Sequence, residues 1–152
     1  MLFRSPPGFL AVCILTLSIL QGACGERGGP GVKSEATGGR VSIYVNFGGI
    51  KPNASYDNIP HTRNMTVWDA MNAAKSRKNG RGISFTFKEM PGHGHFITGI
   101  DGVKQDVSKK TFWIMCVGGA YSNEGVDTKK LKAGDRVEWR RTSKANPCPG
   151  KP

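Results

Sequence analysis

The chain has 152 residues and a formal net charge of +11, from 22 Lys and Arg against 11 Asp and Glu. That length holds one domain and little more. No apolar run approaches the ~20 residues that a membrane-spanning helix needs, and 21 glycines with 9 prolines imply many turns.

Residues 1–25 read as a cleavable export signal. Arg4 supplies a basic start, Phe9 to Leu20 an apolar stretch, and Gln21 to Gly25 the small residues of a cleavage region. Cuts after Cys24 or Gly25 fit equally well, and a lipoprotein reading, with Cys24 acylated, meets Gln21 where an aliphatic residue is wanted. The expected product is a secreted, extracellular protein. Two acceptor sequons, at Asn53 and Asn64, fit a glycosylating route. Cys13 leaves with the signal, so Cys116 and Cys148 remain as an even pair that an oxidising compartment would join. If Cys24 also survives, the pairing is open.

Glu26 to Arg40 is glycine-rich and nearly devoid of apolar residues, the composition of a linker. Order is expected from Val41, where Val41, Ile43 and Val45 alternate with Ser42, Tyr44 and Asn46 as on a half-buried strand. Gly48-Gly49 turns the chain into a polar excursion from Lys51 to His61, with a short strand near Tyr56. A helix follows. Thr66 and Asp69 make an acidic capping box, with Met65 stapled onto Ala70; Val67, Ala70, Met71 and Ala74 lie on one side with Trp68 beside them, and Asn79-Gly80 stops it. The remainder reads as strands: Ile83, Phe85 and Phe87 alternating, then Phe96 to Ile100, an Asp101-Gly102 hairpin, a central strand from Phe112 to Val117, and Arg136 to Thr142 with Val137 and Trp139 inward. Residues 143–152 hold three prolines around Cys148 and read as an extended tail. The domain is therefore residues 41–142, of α+β class: a small, mostly antiparallel sheet with one packed helix, β-grasp-like in its element order.

Catalytic constellations are missing. The chain has no G-x-S-x-G elbow, no H-E-x-x-H, no phosphate-binding P-loop and no C-x-x-C pair, and it is not expected to be an enzyme. His93-x-His95 would place two imidazoles on one strand face, where they could approach one metal ion. Two ligands do not close a zinc site, which takes four, and on the residues alone the pair reads as solvated loop histidines.

The run Thr111 to Val117, the turn Asn123-Glu124-Gly125-Val126 and the closing Leu131 to Trp139 (LKAGDRVEW) together resemble the C-terminal β-domain of the cobalamin carriers: transcobalamin, gastric intrinsic factor and haptocorrin. The resemblance covers about Val41 to Thr142, without the α-barrel domain that holds the other face of the vitamin in those carriers. It implies binding of cobalamin (vitamin B12) through its upper corrin face. The matching positions are Gly92, His93, Gly94, His95, Phe96 and Ile97 in one segment, and Trp113, Ile114, Met115, Cys116, Val117, Gly118, Gly119, Ala120, Tyr121 and Ser122 in the other. Trp113 and aliphatic side chains would cover the disc while strand-edge groups bond its amides. Histidine is not the expected residue at 93 and 95. There a neutral imidazole could take the upper axial position on cobalt, and a separate α-domain chain or a cell-surface receptor could complete the carrier.

A second reading uses the charge. Without Arg4 the mature chain keeps a net charge of +10. Lys109-Lys110, Lys129-Lys130-Lys132 and Arg136-Arg140-Arg141-Lys144 could form a patch for glycosaminoglycans or an anionic cell surface, with no cobalamin bound. Nucleic acid is set aside by export, not by charge.

Overall fold

The computed structural model describes residues 36–77, 82–145 and 147–150. The expected export signal, Cys24, most of the expected linker and the Asn79-Gly80 helix stop lie outside them. Among the described residues the elements are β1 (Ala36–Asn46), β2 (Ala54–Thr62), α1 (Val67–Lys75), β3 (Phe85–Met90), β4 (Gly94–Ile100), β5 (Val103–Lys104), β6 (Phe112–Val117), β7 (Ala120–Tyr121) and β8 (Arg136–Thr142). The result is a small, mostly antiparallel β domain with one short helix.

The alternation of β1 works as its sequence predicts. Val41, Ile43, Val45 and the following Phe47 are buried, while Ser42, Tyr44 and Asn46 face outward. The strand nevertheless begins at Ala36, so residues 36–40 are strand and not linker. Pairing explains the difference: Ala36 lies opposite Thr62 and Arg40 opposite Pro60, with a register shift between them where Gly38 takes φ 76°. A partner strand recruits residues whose own β preference is poor. The same pairing makes β2 a nine-residue strand where only a short one near Tyr56 was expected.

Two sheets form where the sequence suggests one. The larger has the order β2-β1-β8-β6-β7 and the smaller β3-β4-β5. Tight turns close the β3-β4-β5 meander on itself; the Asp101-Gly102 hairpin turn, with φ 47° and 79°, is the one its sequence announces. The larger sheet is antiparallel except at its centre, where β1 runs parallel to β8, setting Ile43 beside Val137 and Val45 beside Trp139. On the other side of β8, Met115 pairs with Trp139 and Cys116 with Glu138. Val137 and Trp139 therefore face the core, and Glu138 faces the opposite side with Tyr44 and Cys116.

Helix α1 covers the inner face with Val67, Ala70, Met71 and Ala74, all buried. Its capping box is complete: Thr66 Oγ1 accepts from the Asp69 amide at 3.2 Å, and Asp69 Oδ2 accepts from the Thr66 amide at 2.9 Å. Asp101 ties the small sheet to the large one. Its carboxylate accepts from the Tyr56 hydroxyl and from the Ser84 amide (2.8 Å), while its carbonyl takes Lys51 Nζ at 2.7 Å. Burial first, and then the adjacent Asp101, push the Tyr56 phenol well above the ordinary tyrosine range, so it stays a donor at any physiological pH.

Cys116 and Cys148 are bonded, with Cα atoms 5.8 Å apart, as the cysteine count suggests. The bridge fastens the tail to the outward face of β6, and the Gly150 amide donates to the Gly119 carbonyl at 3.0 Å. Closing a 32-residue separation contributes about 3–4 kcal/mol on the chain-entropy model. Reduction should therefore lower Tm by on the order of 15 °C. A melting curve that is the same with and without reductant would contradict a structural role for the bridge.

Candidate functional site

The site is assembled from the N-terminus of α1. Its first two amides turn to the 126–129 loop: the Val67 amide donates to the Lys129 carbonyl at 3.0 Å and the Trp68 amide to the Val126 carbonyl at 2.9 Å. These bonds satisfy helix-end donors that otherwise have no partner, and they fix the position of Asp127. One Asp127 carboxylate oxygen accepts the His95 amide at 2.7 Å and the other meets His95 Nδ1 at 2.7 Å. The indole of Trp68 stacks on the same imidazole, 3.8 Å between centroids and 4° between planes, with Phe87 edge-on at 4.7 Å. Gly94 makes room: a Cβ there would collide with the Asp127 carboxylate, and the backbone sits at φ 76°.

An ionised carboxylate only accepts hydrogen bonds, so Nδ1 of His95 carries a proton, and in the neutral ring the lone pair is then on Nε2. This is the arrangement by which proteins orient a histidine that ligates a metal. His93 does not share it. It is an exposed turn residue between Gly92 and Gly94, both at positive φ, with its amide on the Met90 carbonyl at 2.9 Å. Strand alternation, which would put both imidazoles on one face, does not reach residue 93. No cluster of three or more His, Cys, Asp or Glu suited to a metal ion occurs among the described residues.

The two segments singled out in the sequence meet in one groove of about 260 Å³. From the first come His95, Phe96 and Ile97; from the second come Trp113, Ile114, Met115, Tyr121 and Ser122; residues 123–126 and Trp139 complete it. Phe96 and Tyr121 are the exposed apolar members, at 39% and 47%. Trp113 is a core residue more than a covering plate. It is 4% exposed, packs edge-on against Phe47 at 5.8 Å and donates its indole N–H to the Val103 carbonyl at 3.2 Å. Trp139 differs: its buried indole N–H has no acceptor among the described residues, an uncommon state for a buried donor. The rest of the expected segments falls elsewhere. Gly92 and Gly94 border a neighbouring hollow with Glu89 and Met90, Cys116 faces the far side of the sheet in its disulfide, and Gly118 and Gly119 lie beside the tail. Val117 and Ala120 do not line the groove.

A family model described as a domain of unknown function (DUF4430) matches residues 64–143, just over half of the chain. The chain belongs to this family. The DUF4430 match takes in α1, both groove segments and Asp127. In solved structures the fold recurs in haptocorrin in complex with Cbi, at 22% identity and TM-score 0.56, covering 68% of this chain and 24% of that one. It recurs again in a protein of Ruminococcus gnavus ATCC 29149 described as metal binding, at 18% identity and TM-score 0.54, covering 68% of this chain and 96% of that one. This DUF4430 chain thus spans about a quarter of the haptocorrin chain and has the fold expected from the resemblance to the C-terminal domain of the cobalamin carriers. No curated protein matches it.

Asp127 and Trp68 were not legible as site residues in the sequence, although Asp127 directly follows the Asn123-Glu124-Gly125-Val126 turn. Partial burial pushes the Asp127 carboxyl up, but the His95 amide and then its imidazole outweigh this and hold it below the usual carboxylate range. A carboxyl depressed in the folded state stabilises above its unfolded value of ~4, and that contribution disappears as pH falls through the folded value. Asp127→Asn should therefore cost stability in full at neutral pH, the deficit vanishing in acid below pH ~4. A deficit of the same size at every pH would contradict the pairing.

The sequons differ in their surroundings. Both asparagines are exposed, but Asn53 Nδ2 donates to the Tyr44 hydroxyl at 2.8 Å and its Oδ1 accepts the Phe47 amide at 3.3 Å. Asn64 sits in a turn at φ 59°.

Proposed function

We propose that this chain is an exported, non-enzymatic module that binds a corrinoid, of the cobalamin class, by one face of the ring. The observation that carries the reading is the convergence of residues 95–97, 113–115 and 121–122 on one groove. Two features of the groove fit such a ligand. Phe96 and Tyr121 present apolar surface to a disc with apolar edges. His95, oriented by Asp127, holds Nε2 as a lone-pair donor suited to the upper axial position on cobalt. Of the two histidines considered, His95 is the ligand and His93 is not.

The groove covers part of a corrin and leaves the other face open, so a separate α-domain chain or a cell-surface receptor is the natural partner. In the same reading α1 laid over the larger sheet is a β-grasp-like arrangement, the mature chain is extracellular, and Asn53 and Asn64 are glycan acceptors. Trp113 and Trp139 both line the groove and report on it. Hydroxocobalamin should quench their fluorescence saturably, beyond the inner-filter loss measured with free tryptophan. Quenching that never exceeds that control would remove the corrinoid reading.

A further inference from the structure

A second hollow, of about 310 Å³, lies on the outward side of the large sheet, away from the groove. Its floor is Asn46 and Arg140, which pair across β1 and β8. Its walls include Arg141, Lys144 and the disulfide-held Cys148, and none of the residues lining it is acidic. The basic run seen in the sequence does not act as one patch. Arg140 and Arg141 point to opposite sides of β8, Lys109 is 3.7 Å from Asp106, and Lys129 is 2.8 Å from Glu124. What survives is this local cluster.

Two constraints preorganise it. The buried Glu138 carboxylate grips Arg140 through Nε at 3.1 Å and Nη2 at 2.8 Å, fixing the guanidinium and leaving Nη1 out of the fork. Glu138 also lies 3.5 Å from Arg136, so that one carboxylate faces two cations and the trio keeps a net positive charge. Arg141 is held by its Nε–H on the Lys104 carbonyl at 3.0 Å, and the Lys144 amide by Thr142 Oγ1 at 3.0 Å. The disulfide supplies the wall that the sheet alone lacks. A fixed guanidinium beside a flexible ammonium, in a hollow with room for one tetrahedral oxyanion, suits a sulfate ester.

We propose that the disulfide-walled hollow of Arg140 and Lys144 binds a sulfate ester of a sulfated polysaccharide, independently of the corrinoid groove. The site follows from charge and geometry alone; the choice of an extracellular glycan rests on export. The test is calorimetric titration of the oxidised protein with a heparin octasaccharide at fixed ionic strength. Lys144→Glu should raise Kd about tenfold, whereas Lys132→Glu, an exposed lysine on another loop, should change it by no more than about twofold. Cys148→Ser should weaken binding as Lys144→Glu does. The hydroxocobalamin response of Lys144→Glu should match wild type, which separates this site from the groove. Equal losses for Lys144→Glu and Lys132→Glu would overturn the site, since they would mean diffuse charge. Tighter binding of a polyphosphate of matched charge would overturn the sulfated-glycan assignment.

Discussion

His95→Ala is expected to abolish the spectral shift that hydroxocobalamin undergoes on binding and to weaken binding by about a hundredfold or more. A single ring nitrogen carries this effect. Asp127 takes the Nδ1 proton at 2.7 Å, Trp68 stacks on one face of the ring and Phe87 closes one edge. The imidazole therefore has one orientation, and its neutral form one tautomer, with the lone pair on Nε2. Removing it takes away the sole histidine that lines the groove, while the aromatic and aliphatic walls remain. Asp127→Asn should produce an intermediate loss, about ten- to a hundredfold, because the ring stays but its tautomer and orientation are released. His93→Ala should leave both spectrum and affinity unchanged, since residue 93 sits in the exposed turn. Equal losses for the two histidines would contradict the assignment to His95.

Trp113→Ala is expected to act first on folding, at a cost of ~3–5 kcal/mol for a large aromatic removed from a core. Its indole is 4% exposed, lies edge-on to Phe47 and satisfies the Val103 carbonyl, which joins β6 to the small sheet. The truncation opens a cavity and strands that carbonyl together. Trp113→Phe keeps most of the ring and loses the N–H, so it should cost about 1 kcal/mol. Chemical denaturation of the two variants separates these contributions. If Trp113→Ala unfolds at the wild-type midpoint and loses only ligand affinity, the residue is a covering plate after all, as the sequence first suggests.

These two residues show what the sequence discloses and what it conceals. Local rules were readable: the alternation of Val41, Ile43 and Val45, the Thr66–Asp69 box, the Asp101-Gly102 turn, and Val137 and Trp139 facing inward all follow from periodicity and cap chemistry over a few residues. So was the Cys116–Cys148 bridge, from counting. What depends on contacts distant in sequence was not. The parallel pairing of β1 with β8 joins residues almost a hundred positions apart, and it splits the strands into two sheets that no local pattern requires. The extension of β1 back to Ala36 needs β2 as its partner. Asp127 became a site residue only because the helix N-terminus, already capped by its own side chains, also draws in the 126–129 carbonyls. His93 and His95 looked equivalent by spacing, and positive φ at Gly92 and Gly94 broke that equivalence.

Under the proposed function, residues 95–97, 113–115 and 121–122 form a corrinoid site. Titration of the purified mature protein with hydroxocobalamin, followed through the corrin absorption bands, tests it most directly. A saturable one-to-one change in those bands is expected, from replacement of the upper axial water by His95 Nε2. A spectrum that stays the sum of free protein and free vitamin at every ratio would contradict it.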